Sequence, residues 1–335
     1  MTSINDTTST NNTKDDTMTT KFHGVIPPVV TPLTPNGDLD VASYEKLINR
    51  LIGQGVDGLF VLGSTSEVAF FDDEMRGRVL SEAKRIIDGR VPLLAGVIDT
   101  ETLRVIRHIG QAEEIGVDAV VATAPFYAIT GPTEIENHFR ALHEATDLPL
   151  FVYDIPVCVH VKVPVDLMMK LGREGVIAGC KDSSADDVSF RRLALANRAA
   201  GSPLSLFTGH EVVVDGAFMS GADGVVPGLA NVDATSYVAM YKAYREGDWE
   251  TVRIEQDKAA ELMEIAFAPQ GVVGPAAGVG AFKTAMQLLG IIETNTMSVP
   301  LPTLTGDNVE RVAEVLRRVG QLALMTSIDV RRIQV

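Results

Sequence analysis

From residue 24 onward, short apolar runs rich in β-branched residues alternate with longer segments whose apolar positions recur at helical spacing. The apolar runs predict strands at 24–31, 58–62, 92–98, 119–123, 149–153, 176–181, 204–208 and 224–227. The intervening segments predict helices at 41–54, 73–88, 100–114, 133–145, 165–171, 186–198 and 213–220, with Asp72 as an N-cap and Pro164 at a helix start. A phrase of glycine, apolar residue, aspartate and small residue recurs as Gly55-Val56-Asp57-Gly58, Gly116-Val117-Asp118-Ala119 and Gly221-Ala222-Asp223-Gly224. Each copy closes a helix and opens a strand, which a left-handed glycine C-cap explains without any function. Strand–helix alternation of this kind builds a parallel sheet, and eight βα units in roughly 230 residues have the size of an α/β, (β/α)8 TIM barrel. Beyond it, helical spacing at 237–245, 251–266, 281–290 and 308–324 without intervening strands predicts an appended helical layer. The expected organisation is a disordered polar tail at 1–20, a barrel at 21–232 and a C-terminal helical layer at 233–335 packed on the barrel.

Composition narrows the function classes. The 335 residues carry 29 Lys+Arg against 44 Asp+Glu, a formal charge of −15, which disfavours nucleic acid as a partner. Residues 1–20 hold only Met1, Ile4 and Met18 as apolar residues, so they do not read as a signal peptide. The longest uncharged stretch, 265–282, is broken by Pro269, Gly271, Gly274, Pro275, Gly278 and Gly280, which suits a loop and helix entry better than a membrane span. Two cysteines, Cys158 and Cys180, make no disulfide framework. A cytoplasmic protein with no membrane partner is expected.

Barrel chemistry sits at the C-terminal ends of strands, so the residues that follow each apolar run carry the information. Lys181 ends an uncharged run, 175–180. Desolvation there disfavours the ammonium and frees an amine to attack a carbonyl and form a Schiff base. The alternative is a strand-end lysine that snorkels to water or pairs with Asp182. Tyr153 ends the preceding apolar run, and adjacent strands lie about 4.8 Å apart, so its phenol is placed to relay protons beside the lysine. A core tyrosine with its hydroxyl satisfied by backbone is the alternative. Ser64 and Thr65 lie where a strand gives way to a loop of small residues that can aim hydroxyls and N–H groups at a carboxylate, or else form a turn that satisfies its own backbone.

Other constellations drop out. The six histidines show no metal-ligand spacing, so no metal is expected, and no cofactor either. There is no glycine-rich phosphate loop at a strand-to-helix turn and no Gly-x-Ser-x-Gly elbow. Cys180 alternates to the opposite strand face from Lys181 and reads as core packing.

The strand tips together resemble the dihydrodipicolinate synthase / N-acetylneuraminate lyase family of Schiff-base aldolases. The matching pieces are Val30-Thr31-Pro32, Gly63-Ser64-Thr65-Ser66-Glu67, Pro125-Phe126-Tyr127, Tyr153-Asp154-Ile155-Pro156, Gly179-Cys180-Lys181-Asp182 and Gly221-Ala222-Asp223-Gly224. The resemblance implies that Lys181 forms the imine, that Tyr153 is the catalytic phenol, that Tyr127 completes a proton relay, and that Ser64 and Thr65 hold the pyruvate carboxylate. It also implies a TIM barrel, usually assembled as a homotetramer. Two departures stand out. Ser66 replaces the second glycine of the family's Gly-[Ser/Thr]-Thr-Gly-Glu pattern, so the loop must avoid positive φ or absorb strain. Cys158 stands where the synthases carry an arginine that grips a second carboxylate, and a thiol cannot replace a guanidinium fork. Gly-Ser-Thr and Val161-Lys162 lean towards the lyases, and Thr208-Gly209-His210-Glu211 is similar to their sugar-contacting segment, with His210 near the place of a usual aspartate and Gly228 where a serine is common. The expected activity is therefore pyruvate-dependent cleavage of a 2-keto-3-deoxy sugar acid, N-acetylneuraminate first, with Ser183, Gly209, Glu211 and Val226 contacting substrate. The alternatives are an aldolase or dehydratase for a shorter sugar acid, a 4-hydroxy-tetrahydrodipicolinate synthase, or a non-catalytic sugar-acid-binding homologue.

Overall fold

A computed structural model of the chain describes residues 22–321. The tail expected at 1–20 and the last residues of the helical layer, 322–335, lie outside them. Eight parallel strands form one sheet: β1 (Gly24–Val25), β2 (Leu59–Val61), β3 (Leu93–Gly96), β4 (Ala119–Thr123), β5 (Leu150–Asp154), β6 (Gly179–Asp182), β7 (Ser205–Thr208) and β8 (Gly224–Val225). The order is β1-β8-β7-β6-β5-β4-β3-β2. The chain leaving β1 also bonds to β2: the Val29 N–H donates to the Phe60 carbonyl at 2.8 Å and the Phe60 N–H to that of Pro27 at 2.9 Å. The two ends of the sheet thus meet, giving a TIM-barrel-like α/β fold. Every strand residue is buried, which is why these runs read as continuously apolar rather than alternating.

The helices around the sheet are α1 (Val41–Gly53), α2 (Asp73–Ile87), α3 (Thr102–Ile115), α4 (Pro132–Glu144), α5 (Pro156–Val159), α6 (Val165–Arg173), α7 (Asp187–Ala199) and α8 (Val214–Ser220). Capping sets several starts: the Asp72 carboxylate accepts the Met75 N–H at 2.8 Å, and Asp40 does the same for Ser43 at 3.1 Å. Pro164 is the N-cap of α6.

The repeated glycine–aspartate phrase does two jobs. Gly55, Gly116 and Gly221 all take positive φ, 89°, 83° and 101°, where a side chain would be strained. The aspartate two residues on then reaches across the bottom of the sheet. Asp57 accepts the Val25 N–H, Asp118 that of Leu93 and Asp223 that of Leu206, each at 2.8 Å. Each carboxylate satisfies an N–H at the entry of a neighbouring strand.

After β8, α9 (Thr235–Glu246), α10 (Trp249–Phe267), α11 (Pro275–Leu288) and α12 (Asp307–Arg318) form the helical layer. Helix α10 packs against α9, α11 and α12. Helix α11 begins at Pro275, earlier than the expected 281, because a proline at the first helical position starts a helix rather than breaking it.

Candidate active site

The register of the sheet brings the expected pair together. Tyr153 on β5 is the direct partner of Lys181 on β6, and Asp154 of Asp182. The Lys181 ammonium lies 4.0 Å from the centre of the Tyr153 ring and 5.1 Å from that of Phe60. Lys181 is 6% exposed, so the snorkelling alternative fails. Pairing with Asp182 fails as well, because successive residues of a strand face opposite ways. The Asp182 carboxylate instead binds Ser184, accepting its hydroxyl at 2.7 Å, and lies 3.4 Å from the Lys162 ammonium.

Ser64 and Thr65 open a short 3-10 turn, Ser64–Ser66, directly after β2. The Ser64 hydroxyl donates to the Tyr153 phenol at 3.4 Å. Ser66 sits in this turn without positive φ and donates its hydroxyl to the Val29 carbonyl at 2.5 Å, so the replacement of glycine adds a bond without strain. The left-handed residue is Glu67, with φ 64°.

The remaining expected contacts cluster by the lysine. A Cβ on Gly209 would fall 3.1 Å from Lys181 Cε and 2.1 Å from Ser183 Oγ, which leaves room at 209 only for glycine. Val226 lines a small apolar cavity with Lys181, Phe60, Phe151 and Phe207. Glu211 is half-buried and accepts the Leu229 N–H at 2.6 Å. Around Gly228, a Cβ would meet Phe282, Thr65 Oγ1 and Glu211 Oε1 at 3.1 to 3.3 Å. The bare glycine therefore leaves Glu211 and Thr65 close to the same point of the backbone.

Tyr127 stands apart from this cluster within the chain. Its ring is 94% exposed at φ 77°, and its hydroxyl has no hydrogen-bond partner among the described residues. The strand-tip motif fixes where the backbone of Tyr127 lies but not where the ring points, and this ring points to solvent. A relay through Tyr127 within one chain is not formed. Cys180 is buried, as expected, and burial holds its thiol well above its ordinary range. Cys158 is exposed just beyond β5.

Sequence reasoning misses one group, Lys162. Its ammonium donates to Asp154 and, at 2.9 Å, to Ser184 Oγ, so it ties the tips of β5 and β6 next to the lysine–tyrosine pair. Burial pushes the Asp154 carboxyl up, opposed by its bond to Lys162. The polar residues Asp154 and Asp182 at adjacent strand tips carry the signal, since two facing carboxylates require a cation between them.

Burial also pushes the Glu211 carboxyl up, to about 7, against the Leu229 N–H and the charge of Lys181. A carboxyl raised in the folded chain contributes stability that is full below its ordinary value of 4.5 and is lost as pH climbs to about 7. Glu211→Gln keeps an acceptor for Leu229, so its melting temperature should match wild type at pH 4.5 and exceed it by about 2–4 °C at pH 8, discounted for partial exposure. Melting curves at both pH values check this, and an equal gap at both would show that Glu211 does not titrate.

Comparison with known proteins shows the family and the fold. The dihydrodipicolinate synthetase family matches residues 21–319. The 4-hydroxy-tetrahydrodipicolinate synthase of Phenylobacterium zucineum is 30% identical over 91% of this chain and 98% of its own. Among solved structures, dihydrodipicolinate synthase from Bacteroides thetaiotaomicron superposes with a TM-score of 0.83 at 31% identity, over 88% of this chain and 98% of that one. YagE, an Escherichia coli K12 prophage protein of the dihydrodipicolinic acid synthase family in complex with pyruvate, gives 0.84 at 25% identity, over 89% and 98%.

Proposed function

This chain belongs to the dihydrodipicolinate synthetase family, and from that premise we propose that it is a pyruvate-dependent Schiff-base aldolase cleaving a 2-keto-3-deoxy sugar acid. Its class is that of carbon–carbon lyases, an enzyme rather than a sensor. The observation that carries the reading is Lys181 buried against the Tyr153 ring at 4.0 Å, with the Ser64 hydroxyl on the phenol at 3.4 Å. The Lys181 amine adds to the C2 carbonyl of the keto acid and water leaves, forming the imine. The Tyr153 phenol gives its proton to the hydroxyl that leaves as water, so the imine is left protonated beside a phenolate. The protonated imine then draws the electron pair of the breaking C3–C4 bond, and the phenolate takes the proton of the C4 hydroxyl. That proton is the one later delivered to C3. The aldehyde departs, C3 of the enamine is protonated, and hydrolysis returns pyruvate and free lysine. Ser64 and Thr65 hold the carboxylate, and Ser183, Gly209, Glu211 and Val226 border the sugar tail. No metal or cofactor takes part. The complex of YagE with pyruvate supports the keto-acid half.

The sugar tail is favoured over a second carboxylate because Lys162 is committed to Asp154 and Asp182, Cys158 offers no cation, and Glu211 is a carboxyl, which can bond hydroxyls but supplies no positive charge. The relatives named 4-hydroxy-tetrahydrodipicolinate synthase support the second reading, in which aspartate semialdehyde is the partner. A buried carboxylate that lacks its charged partner loses about 2–5 kcal/mol, or roughly 30- to several-thousand-fold. The expected result is a higher kcat/KM for N-acetylneuraminate, released as N-acetylmannosamine and pyruvate, or for another sugar acid, than for pyruvate plus aspartate semialdehyde. Cys158→Arg should narrow the gap. A dominant synthase activity would reverse the assignment.

Beyond their strands, Tyr127, Ile129 and Val157 are 94%, 93% and 79% exposed at one end of the sheet. Large side chains left this exposed near one another's strand tips support assembly of copies, read as a homotetramer. A phenol so exposed acts only on groups outside its own chain, so any relay by Tyr127 belongs to such an assembly. Among the described residues no helix is long and apolar enough to cross a membrane, and a cytoplasmic setting fits two free cysteines.

A further inference from the structure

We propose that the buried ion pair of Glu67 and Lys283 is a positioning device that fixes the Ser64–Thr65 loop from the C-terminal helical layer. It rests on the reading of those two residues as the carboxylate site.

Glu67 and Lys283 have no side-chain exposure at all. Glu67 follows the Ser64–Ser66 turn, caps it with its own N–H on the Ser64 carbonyl at 3.0 Å, and holds φ 64°. Its side chain leaves the loop entirely. One carboxylate oxygen pairs with the Lys283 ammonium on α11, and the other accepts the Ser298 N–H at 2.7 Å. Lys283 donates in turn to the Thr296 carbonyl at 2.8 Å. The loop is thus held by its last residue to α11 and to the 296–298 segment, and by Ser66 to Val29 on the opposite side.

Stability alone does not account for the pair. Two buried charges cost as much desolvation as their attraction returns, and an apolar pair of similar size serves packing as well, so what a buried pair best supplies is a fixed geometry. Here the fixed element carries the Ser64 hydroxyl, 3.4 Å from the Tyr153 phenol, and Thr65 Oγ1, 3.2 Å from the place of a Cβ on Gly228. Neither Glu67 nor Lys283 touches the reacting atoms. Their effect should fall on the affinity for pyruvate and not on the capacity of Lys181 to form an imine.

The test uses borohydride trapping of pyruvate on Lys181, followed by mass across a range of pyruvate concentrations. Lys283→Met alone leaves a buried unpaired carboxylate and should unfold readily, so the informative variant is Glu67→Gln with Lys283→Met, which buries no charge. The proposal expects its half-saturating pyruvate concentration to rise about tenfold or more, with the labelled fraction at saturation unchanged. It also expects pyruvate to slow amide hydrogen exchange in the wild-type protein at 295–299 as well as at 62–68. A folded double variant that saturates within about twofold of wild type overturns the proposal. If the double variant does not fold, protection confined to 62–68 in the wild type overturns it. No label on wild-type Lys181 removes the carboxylate-site reading, and the proposal with it.

Discussion

Lys181→Ala is expected to lower kcat/KM by about 10⁴-fold or more while leaving the protein folded, because removal of a covalent nucleophile abolishes the step that all later ones require. Among the described residues the other buried or half-buried amines nearby are already engaged. Lys162 is held by Asp154 and Asp182, and Lys283 is buried against Glu67. The alanine leaves a space beside Phe60, Phe151 and Phe207, so some loss of stability accompanies the loss of rate. Steady-state assay of pyruvate release, with a melting curve on the same preparation, separates the two. Activity within tenfold of wild type would exclude Lys181 as the nucleophile.

Tyr153→Phe should reduce kcat by about 10²- to 10⁴-fold. The ring that packs against the Lys181 ammonium and edge-on to Phe60 is retained, and only the hydroxyl is lost. Among the described residues its hydroxyl bonds to Ser64 alone, at 3.4 Å, so stability should change by no more than about 1 kcal/mol. The split between a large kinetic effect and a small shift in melting distinguishes a proton-transfer role from packing. A fall in both together would make Tyr153 a core residue, as the alternative reading of an isolated tyrosine holds.

Much of this site is legible in the amino-acid sequence because strand tips in a parallel sheet are local features. The apolar runs that end at Tyr153 and Lys181 set their register, and the sheet pairs them directly. Helix starts are legible where a side chain caps, as at Asp72. What escapes depends on contacts between distant segments or on the aim of a side chain. Glu67 stands out in the sequence only as part of a motif, since nothing near it announces Lys283 on α11. Lys162 reads as a family marker, although it clamps two carboxylates. Motif order names Tyr127, but the side-chain exposure that sets it apart from the Lys181 cluster within one chain is visible only in the structure. The aspartates of the repeated phrase read as turn residues, and their bonds to neighbouring strand N–H groups appear only when the sheet is assembled.

The most direct test of the Schiff-base assignment is borohydride reduction in the presence of pyruvate, followed by intact mass and peptide mapping. A lysine buried at this strand tip predicts one reduced pyruvyl group per chain, on Lys181, and none on the Lys181→Ala variant. An active wild-type protein whose mass is unchanged at saturating pyruvate, or a label carried by another lysine, would contradict it.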